Sequence, residues 1–219
     1  MGNKRELLLP NSIYHIYNHG IGNSEIFIES ANYEYFLDLF KKHISPFARL
    51  YAFCLLPNHF HFVLKLGNYE LIEEFIKLSG YKFSARRYAN MNNKIAQLFG
   101  NFFNAYAKAI NKRYKRMGSL FVTSFKRKTV LDEDYLRQLV LYVNTNPIHH
   151  LVANELEEWQ YSSFRHIIHR NAFIVDYNQT LSFFDSLDEF KSLHVNYSIE
   201  AKKAGKSGPF NSEIISTIL

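Results

Sequence analysis

The chain has 219 residues, 47% of them apolar, and a formal net charge of +6 at neutral pH. That length supports one sizeable core, or one domain with an appendage. It contains no 18-residue apolar run long enough to span a membrane and no amino-terminal apolar segment of a secretory signal; its single cysteine, Cys54, excludes an internal disulfide framework and fits a reducing cytoplasm.

In chain order, Ser12 to His19 (SIYHIYNH) alternates and predicts a first strand. Asn32 to Ile44 sets Phe36, Leu37, Leu39 and Phe40 among charges and predicts a helix, stopped near Ser45-Pro46 because proline disfavours helical backbone in the residue before it. Arg49 to Leu56 is a strand, Pro57-Asn58 a turn, and His59 to Leu66 the return strand of an antiparallel hairpin. Tyr69 to Leu78 is a second helix. Gly80 to Lys94 is polar, basic and poorly periodic, and predicts a loop or insertion. Ile95 to Arg116 has a helical pattern, broken by Gly118-Ser119, and Leu120 to Val130 alternates loosely as a fourth strand. Asp132 is a good N-cap, with Glu133 and Asp134 in a first turn that favours negative charge. The helix it opens passes through Tyr142 to about Asn146, where Pro147 ends it. Short helical pieces follow from Ile148, with a loose tail expected from Lys202.

This order, β-α-β-β-α-(insertion)-β-α, is the ferredoxin-like split βαβ pattern of an α+β protein, with an antiparallel sheet and helices on one face. Residues 9–150 form the domain, 80–117 its basic insertion and helix, and 151–219 an extension packed on it.

The charge is concentrated. Between Glu74 and Asp132 there is no acidic residue, and those 57 residues hold 13 of the 26 lysines and arginines. Ordinary solvated helix faces mix signs, so a one-signed block points to a polyanion. Aromatic residues, among them Tyr81, Phe83, Tyr88, Phe99, Tyr106 and Phe125, are interleaved with the cations. Basic residues track phosphates and aromatic rings stack bases, so the combination points to nucleic acid.

In LPNHFHFVL, residues 56–64, strand alternation turns His59 and His61 to one face and Phe60 to the other. Two imidazoles about 7 Å apart along one face can converge on a single ion. Helix residues four apart also share a face, and Tyr142 and Asn146 are such a pair. The Asn146 amide oxygen suits Mg²⁺ or Mn²⁺, and a phenolic oxygen such as that of Tyr142 can attack phosphorus as a covalent nucleophile, although most of the 15 tyrosines are expected to be packing residues. The remaining histidines, His15, His19, His43, His149, His150, His166, His169 and His194, are read as surface or packing residues.

Four segments together resemble the HUH single-strand transposases of the REP-associated tyrosine type. "IYHIYNHGIGNSEIFI" is similar to that family's first strand and turn, "AFCLLPNHFHFVL" to its metal strand, "GSLFVTSFKRKTV" to its fourth strand, and "YLRQLVLYVNTNPIHHLV" with "WQYSSF" to its tyrosine helix and following segment. The likeness runs in the same order over residues 9 to 200. It implies His59, His61 and Asn146 as ligands of a divalent metal, Tyr142 as nucleophile, and a 5′-phosphotyrosine intermediate at single-stranded DNA beside a hairpin. It departs from the family at Leu141 and Asn144, where an arginine and a histidine are common. Tyr135 and Tyr161 are the weaker candidates for nucleophile. Lys108, Lys112, Arg113, Lys115 and Arg116, with Arg127 and Lys128, are expected on the phosphate backbone, where contacts position DNA without reading its sequence. The expected setting is the cytoplasm, with a monomer or homodimer both open. Two other readings remain: a catalytically quiet DNA-binding protein of the same fold, and a metal-stabilised RNA-binding module.

Overall fold

The computed structural model describes residues 6–81, 90–122 and 124–204. Lys82, Phe83, Arg86, Arg87 and Tyr88 of the basic block lie outside the described residues, as does the chain beyond residue 204.

The alternating segments pair into one sheet. β1 (Ile13–His19), β2 (Ala48–Leu56), β3 (His59–Leu66) and β4 (Lys126–Val130) lie in the order β2-β3-β1-β4. Every neighbouring pair is antiparallel, and the Pro57-Asn58 turn sets Leu56 opposite His59. This is the expected split βαβ topology. The helices are α1 (Ser30–His43), α2 (Tyr69–Leu78), α3 (Met91–Arg113) and α4 (Glu133–His149).

Phe60 and Phe62 of β3 meet Phe36 and Phe40 of α1 and Phe102 and Phe103 of α3, with ring centroids 4.7–6.5 Å apart. These rings make the larger core, on one side of the sheet. The helices do not all share that side. α4 covers the opposite face, where Tyr142 stands over His61 at 5.5 Å between ring centroids. The reason lies in β2, which is buried at eight of its nine positions. A strand apolar on both faces needs a layer on each.

Four boundaries differ clearly from expectation. α3 begins at Met91, four residues before Ile95, because Asn90 caps it by accepting from the Asn93 backbone amide at 3.0 Å. It stops at Arg113, since Lys115 takes a left-handed conformation (φ 51°) and the Arg116 amide closes on the Asn111 carbonyl at 2.9 Å. β4 begins only at Lys126, after Ser124 turns left-handed at φ 67°. Pro147 does not end α4. It sits in the last turn, and the His150 amide still reaches the Asn146 carbonyl at 2.9 Å.

The segment after α4 contains α5 (Ser163–Ile168), α6 (Tyr177–Leu181) and α7 (Leu187–Ala204). It covers the outer edge of β2: the Leu55 amide donates to the Tyr161 carbonyl and the Asp176 amide to the Leu50 carbonyl, both at 2.9 Å. Residues 202–204, expected to be loose, complete the last turn of α7. α7 lies along α4 through an Arg137–Glu189 ion pair at 2.8 Å and an Asn144–His194 hydrogen bond at 3.0 Å. At the β4 edge, Thr129 Oγ1 donates to the Glu6 carboxylate at 2.7 Å. The edge of β2, under the segment after α4, is shielded from pairing with another chain. Among the described residues, no helix is long and apolar enough to cross a membrane.

Candidate functional site

The face of the sheet under α4 is built by alternation. Strand pairing sets Tyr17 opposite His61, His19 opposite His59, and Lys126 and Lys128 opposite Tyr17 and His15. Directly paired residues share a face, so these side chains form one polar surface. The His59 and His61 rings are 5.3 Å apart and nearly perpendicular.

α4 lays its last turns over this surface. Asn146 is fully buried, and its Nδ2 donates to the Tyr142 carbonyl one turn back at 2.8 Å. Only the nitrogen end of the amide can donate there, which leaves Oδ1 facing away from the helix. Oδ1 is buried and meets no donor with hydrogen-bond geometry. The amide still lies close enough to oppose, in part, the effect of burial on both His59 and Tyr142. Such an orphaned acceptor costs about 1–3 kcal/mol unless something completes it.

Burial sets the protonation states. It lowers the pKa of His59 to about 3, assisted by His150 and His19, and holds His61 well below the usual imidazole range, with His15, His59 and His150 adding to the effect. Both rings are therefore neutral at pH 7, the form that ligates metals. Burial raises the Tyr142 phenol to about 12. A nucleophilic Tyr142 must lose its proton to a partner in the assembled complex.

The donor set fits a divalent ion. Neutral imidazoles ligate divalent transition ions, and an unpartnered amide oxygen is a hard donor that suits Mn²⁺ or Mg²⁺. Among the described residues no group of three or more His, Cys, Asp or Glu side chains converges as a metal site. The buried Asn146 amide oxygen is the further oxygen donor beside the two histidines.

Two histidines join the site that the sequence reading left out. The His150 ring lies 4.6 Å from that of His59. Burial and then His149 lower its pKa, although the residue is exposed over part of its surface. The signal was present, because 142, 146 and 150 continue one four-residue spacing. His15 is fully buried, with Nε2 at 2.8 Å from His61 Nδ1. No local pattern reveals that pairing, which depends on register between β1 and β3.

The alternative tyrosines are placed elsewhere. Tyr161 stacks on Tyr33 of α1 at 3.9 Å, on the far side of the sheet. Tyr135 stands two turns before Tyr142 on α4, where Tyr17, Glu6 and Asp132 surround it electrostatically. The expected DNA contacts also separate. Lys108, Lys112 and Lys115 are exposed at the end of α3. Arg113 pairs with Glu29 at 2.5 Å, and Arg116 donates to the Glu25 carbonyl at 3.3 Å. Lys128 lies on the histidine face, whereas alternation turns Arg127 to the other side, where its Nε donates to the Glu6 carbonyl at 2.6 Å.

No protein-family model and no curated protein match the sequence. Solved structures do. The structure of a REP-associated tyrosine transposase bound to a REP hairpin matches with a TM-score of 0.55 at 14% identity, over 78% of this chain and 87% of that one. The chain has the fold of a REP-associated tyrosine transposase. A candidate transposase from Deinococcus radiodurans R1 is 16% identical over 64% of this chain and 93% of its own, but its TM-score of 0.34 is too low to bear on the fold. The four segments singled out in the sequence fall chiefly on β1, on the β2–β3 hairpin, on β4, and on α4 with the start of α5.

Proposed function

We propose that this chain is a metal-dependent enzyme that nicks and rejoins single-stranded DNA beside a hairpin through a covalent tyrosine intermediate. The observation that carries this reading is the meeting of Tyr142, His59, His61 and the orphaned Asn146 oxygen under one helix. The transposase fold supports it, and the REP hairpin bound by the structural neighbour supports hairpin DNA as the substrate class.

His59, His61 and Asn146 would hold the ion. When bound, Mg²⁺ or Mn²⁺ supplies Lewis-acid polarisation of a phosphate oxygen. Tyr142 Oη, once deprotonated, attacks the scissile phosphorus. The new Oη–P bond forms as the P–O3′ bond breaks, and the departing 3′-oxygen takes up a proton. The product is a 5′-phosphotyrosine, with the free 3′-hydroxyl on the other strand end. Attack by a different 3′-hydroxyl reverses the step and releases Tyr142. One phosphodiester is exchanged for another, so no external energy source is needed. Lys126 and Lys128 flank this face and supply positive charge toward the phosphates. The exposed Lys108, Lys112 and Lys115 hold the backbone further out. Arg116 anchors that end of α3 to Glu25, beside Ile26, whose amide bonds the Pro57 carbonyl of the β2–β3 turn at 2.7 Å, so the cations and His59 lie toward the same end of the sheet.

The test is a gel assay for a covalent adduct with single-stranded hairpin DNA and Mn²⁺ or Mg²⁺, with Tyr142→Phe and His59→Ala alongside. A denaturant-resistant adduct lost in both variants is expected. An adduct that survives Tyr142→Phe would overturn the assignment of the nucleophile. Tight, salt-sensitive binding without any adduct would favour the quiet DNA-binding protein.

A further inference from the structure

Resting on the metal-dependent reading of the site, we propose that His15 is a positioning residue: it accepts the Nδ1 proton of His61 and so presents the Nε2 lone pair of His61 to the ion. His15 lies on β1, 46 residues from His61 in sequence, and is fully buried. Its Nε2 stands 2.8 Å from His61 Nδ1. The rings are stacked, 5.1 Å between centroids and 16° between planes. Tyr17 holds the His15 ring from its other neighbour position at 4.6 Å.

Two neutral imidazoles sharing one hydrogen bond have only two arrangements. If His15 donates, the remaining proton of His61 sits on Nε2, both of its nitrogens are committed, and His61 cannot ligate. If His61 donates, its Nε2 lone pair is left for the ion. A ligating histidine needs a partner for its other ring nitrogen, and that partner fixes tautomer and ring orientation. His59 shows the same device in the next register position: its Nδ1 lies 2.7 Å from Asn58 Oδ1, and the Asn58 amide nitrogen in turn donates to Asn23 Oδ1 at 3.3 Å. That chain of donors assigns the His59 proton to Nδ1 and its lone pair to Nε2. Both candidate ligands are thus gripped through Nδ1 by side chains of the protein.

Packing alone does not account for an imidazole at residue 15. His15 Nδ1 is buried without a hydrogen-bond partner, a cost that phenylalanine or leucine at the same place would avoid.

The full-length protein would be titrated with Mn²⁺ by calorimetry, alongside His15→Leu, His15→Gln and His59→Ala, with folding checked by circular dichroism. His15→Leu is expected to weaken Mn²⁺ binding about 10–100-fold, the usual effect of removing a residue that orients a ligand. His15→Gln, whose amide oxygen reaches about as far as Nε2, is expected to restore affinity to within a few-fold of the parent. In the Mg²⁺-saturated parent, ¹⁵N chemical shifts of His61 are expected to place its proton on Nδ1. If the parent binds Mn²⁺ no better than His59→Ala, the metal reading fails and this inference falls with it. If the parent binds and His15→Leu binds equally well, or His15→Gln is as weak as His15→Leu, or the proton is on Nε2, His15 has no positioning role and the metal reading stands. Should His15→Leu fail to fold, the glutamine variant and the ¹⁵N shifts decide.

Discussion

Asn146 is the residue whose environment makes least sense in a purely structural helix. It is wholly buried, spends one end of its amide on its own helix, and leaves the other end unpaired. Replacing it by alanine removes one hydrogen bond, about 1 kcal/mol, but also removes the orphaned oxygen and improves helix propensity. These effects nearly cancel in the ion-free protein. Asn146→Ala is therefore expected to melt within a few degrees of the parent, while losing the upward shift in melting temperature that the proposed metal site predicts for the parent in Mn²⁺. A scan with and without Mn²⁺ checks this; an undiminished shift in the variant would remove Asn146 from the ligand set. At this scale much of the site could be read from the sequence. Period-two alternation put His59 and His61 on one face, and four-residue spacing joined Tyr142 to Asn146. His150 obeyed the same spacing and was passed over. His15 was not legible, because its partner is set by strand register across 46 residues rather than by any local period.

Among the elements, α4 depends on what packs outside it. Its buried stretch from Leu139 to Leu141 and from Val143 to Ile148 contains Asn144, where a histidine is common in the resembled family. Asn144 Nδ2 donates to His194 Nε2 of α7 at 3.0 Å, its Oδ1 accepts from the Ser163 hydroxyl, and Ser163 Oγ accepts from the Phe53 amide of β2 at 3.0 Å. His194 Nδ1 completes the chain by donating to the Phe190 carbonyl at 2.7 Å. One amide thus ties the tyrosine helix to α7, α5 and the sheet. Asn144→Ala would strand the His194 acceptor and the Ser163 hydroxyl, and is expected to cost about 2–4 kcal/mol in urea unfolding. The same network makes a pH prediction. Burial lowers His194 to about 4, against a usual value of 6.5, with its backbone hydrogen bonds opposing. The unfolded chain therefore takes up the proton first as pH falls. The stability from keeping His194 neutral is complete above about pH 6.5 and is lost between there and about pH 4, at roughly 1.4 kcal/mol per pH unit. The acid slope of the parent should exceed that of His194→Gln by this amount over that range. An equal slope would mean that the buried ring ionises without cost. The start of α4 was legible, because Asp132 accepts from the Tyr135 amide at 2.7 Å as its N-cap position predicts. Its end was not, since a proline within the last turn gives up only one backbone bond there, and packing on β2 and α7 carries the helix past it.

Across the whole molecule, topology was more legible than layering. Element order led to the antiparallel split βαβ sheet, but the side taken by each helix depends on which strand faces are apolar, and β2 is apolar on both. Charge followed the same division. The acid-free block predicts a polyanion surface, yet folding spends its cations unequally. Arg113 is paired with Glu29, and Arg127 is bonded to the Glu6 carbonyl across the sheet from the histidines, whereas Lys108, Lys112 and Lys115 stay exposed. Salt dependence separates these roles, because each phosphate contact to single-stranded nucleic acid contributes about 0.7 to the slope of log K against log salt. Replacing Lys108, Lys112 and Lys115 together by alanine is expected to lower the slope for single-stranded DNA by about 2. Arg113→Ala should lower it by less than a single lysine does, since its loss also frees Glu29 rather than a phosphate. Binding titrations at several salt concentrations measure both. If the triple variant keeps the parental slope, the exposed end of α3 does not meet the DNA, and the phosphates must follow Lys126 and Lys128 along β4 instead.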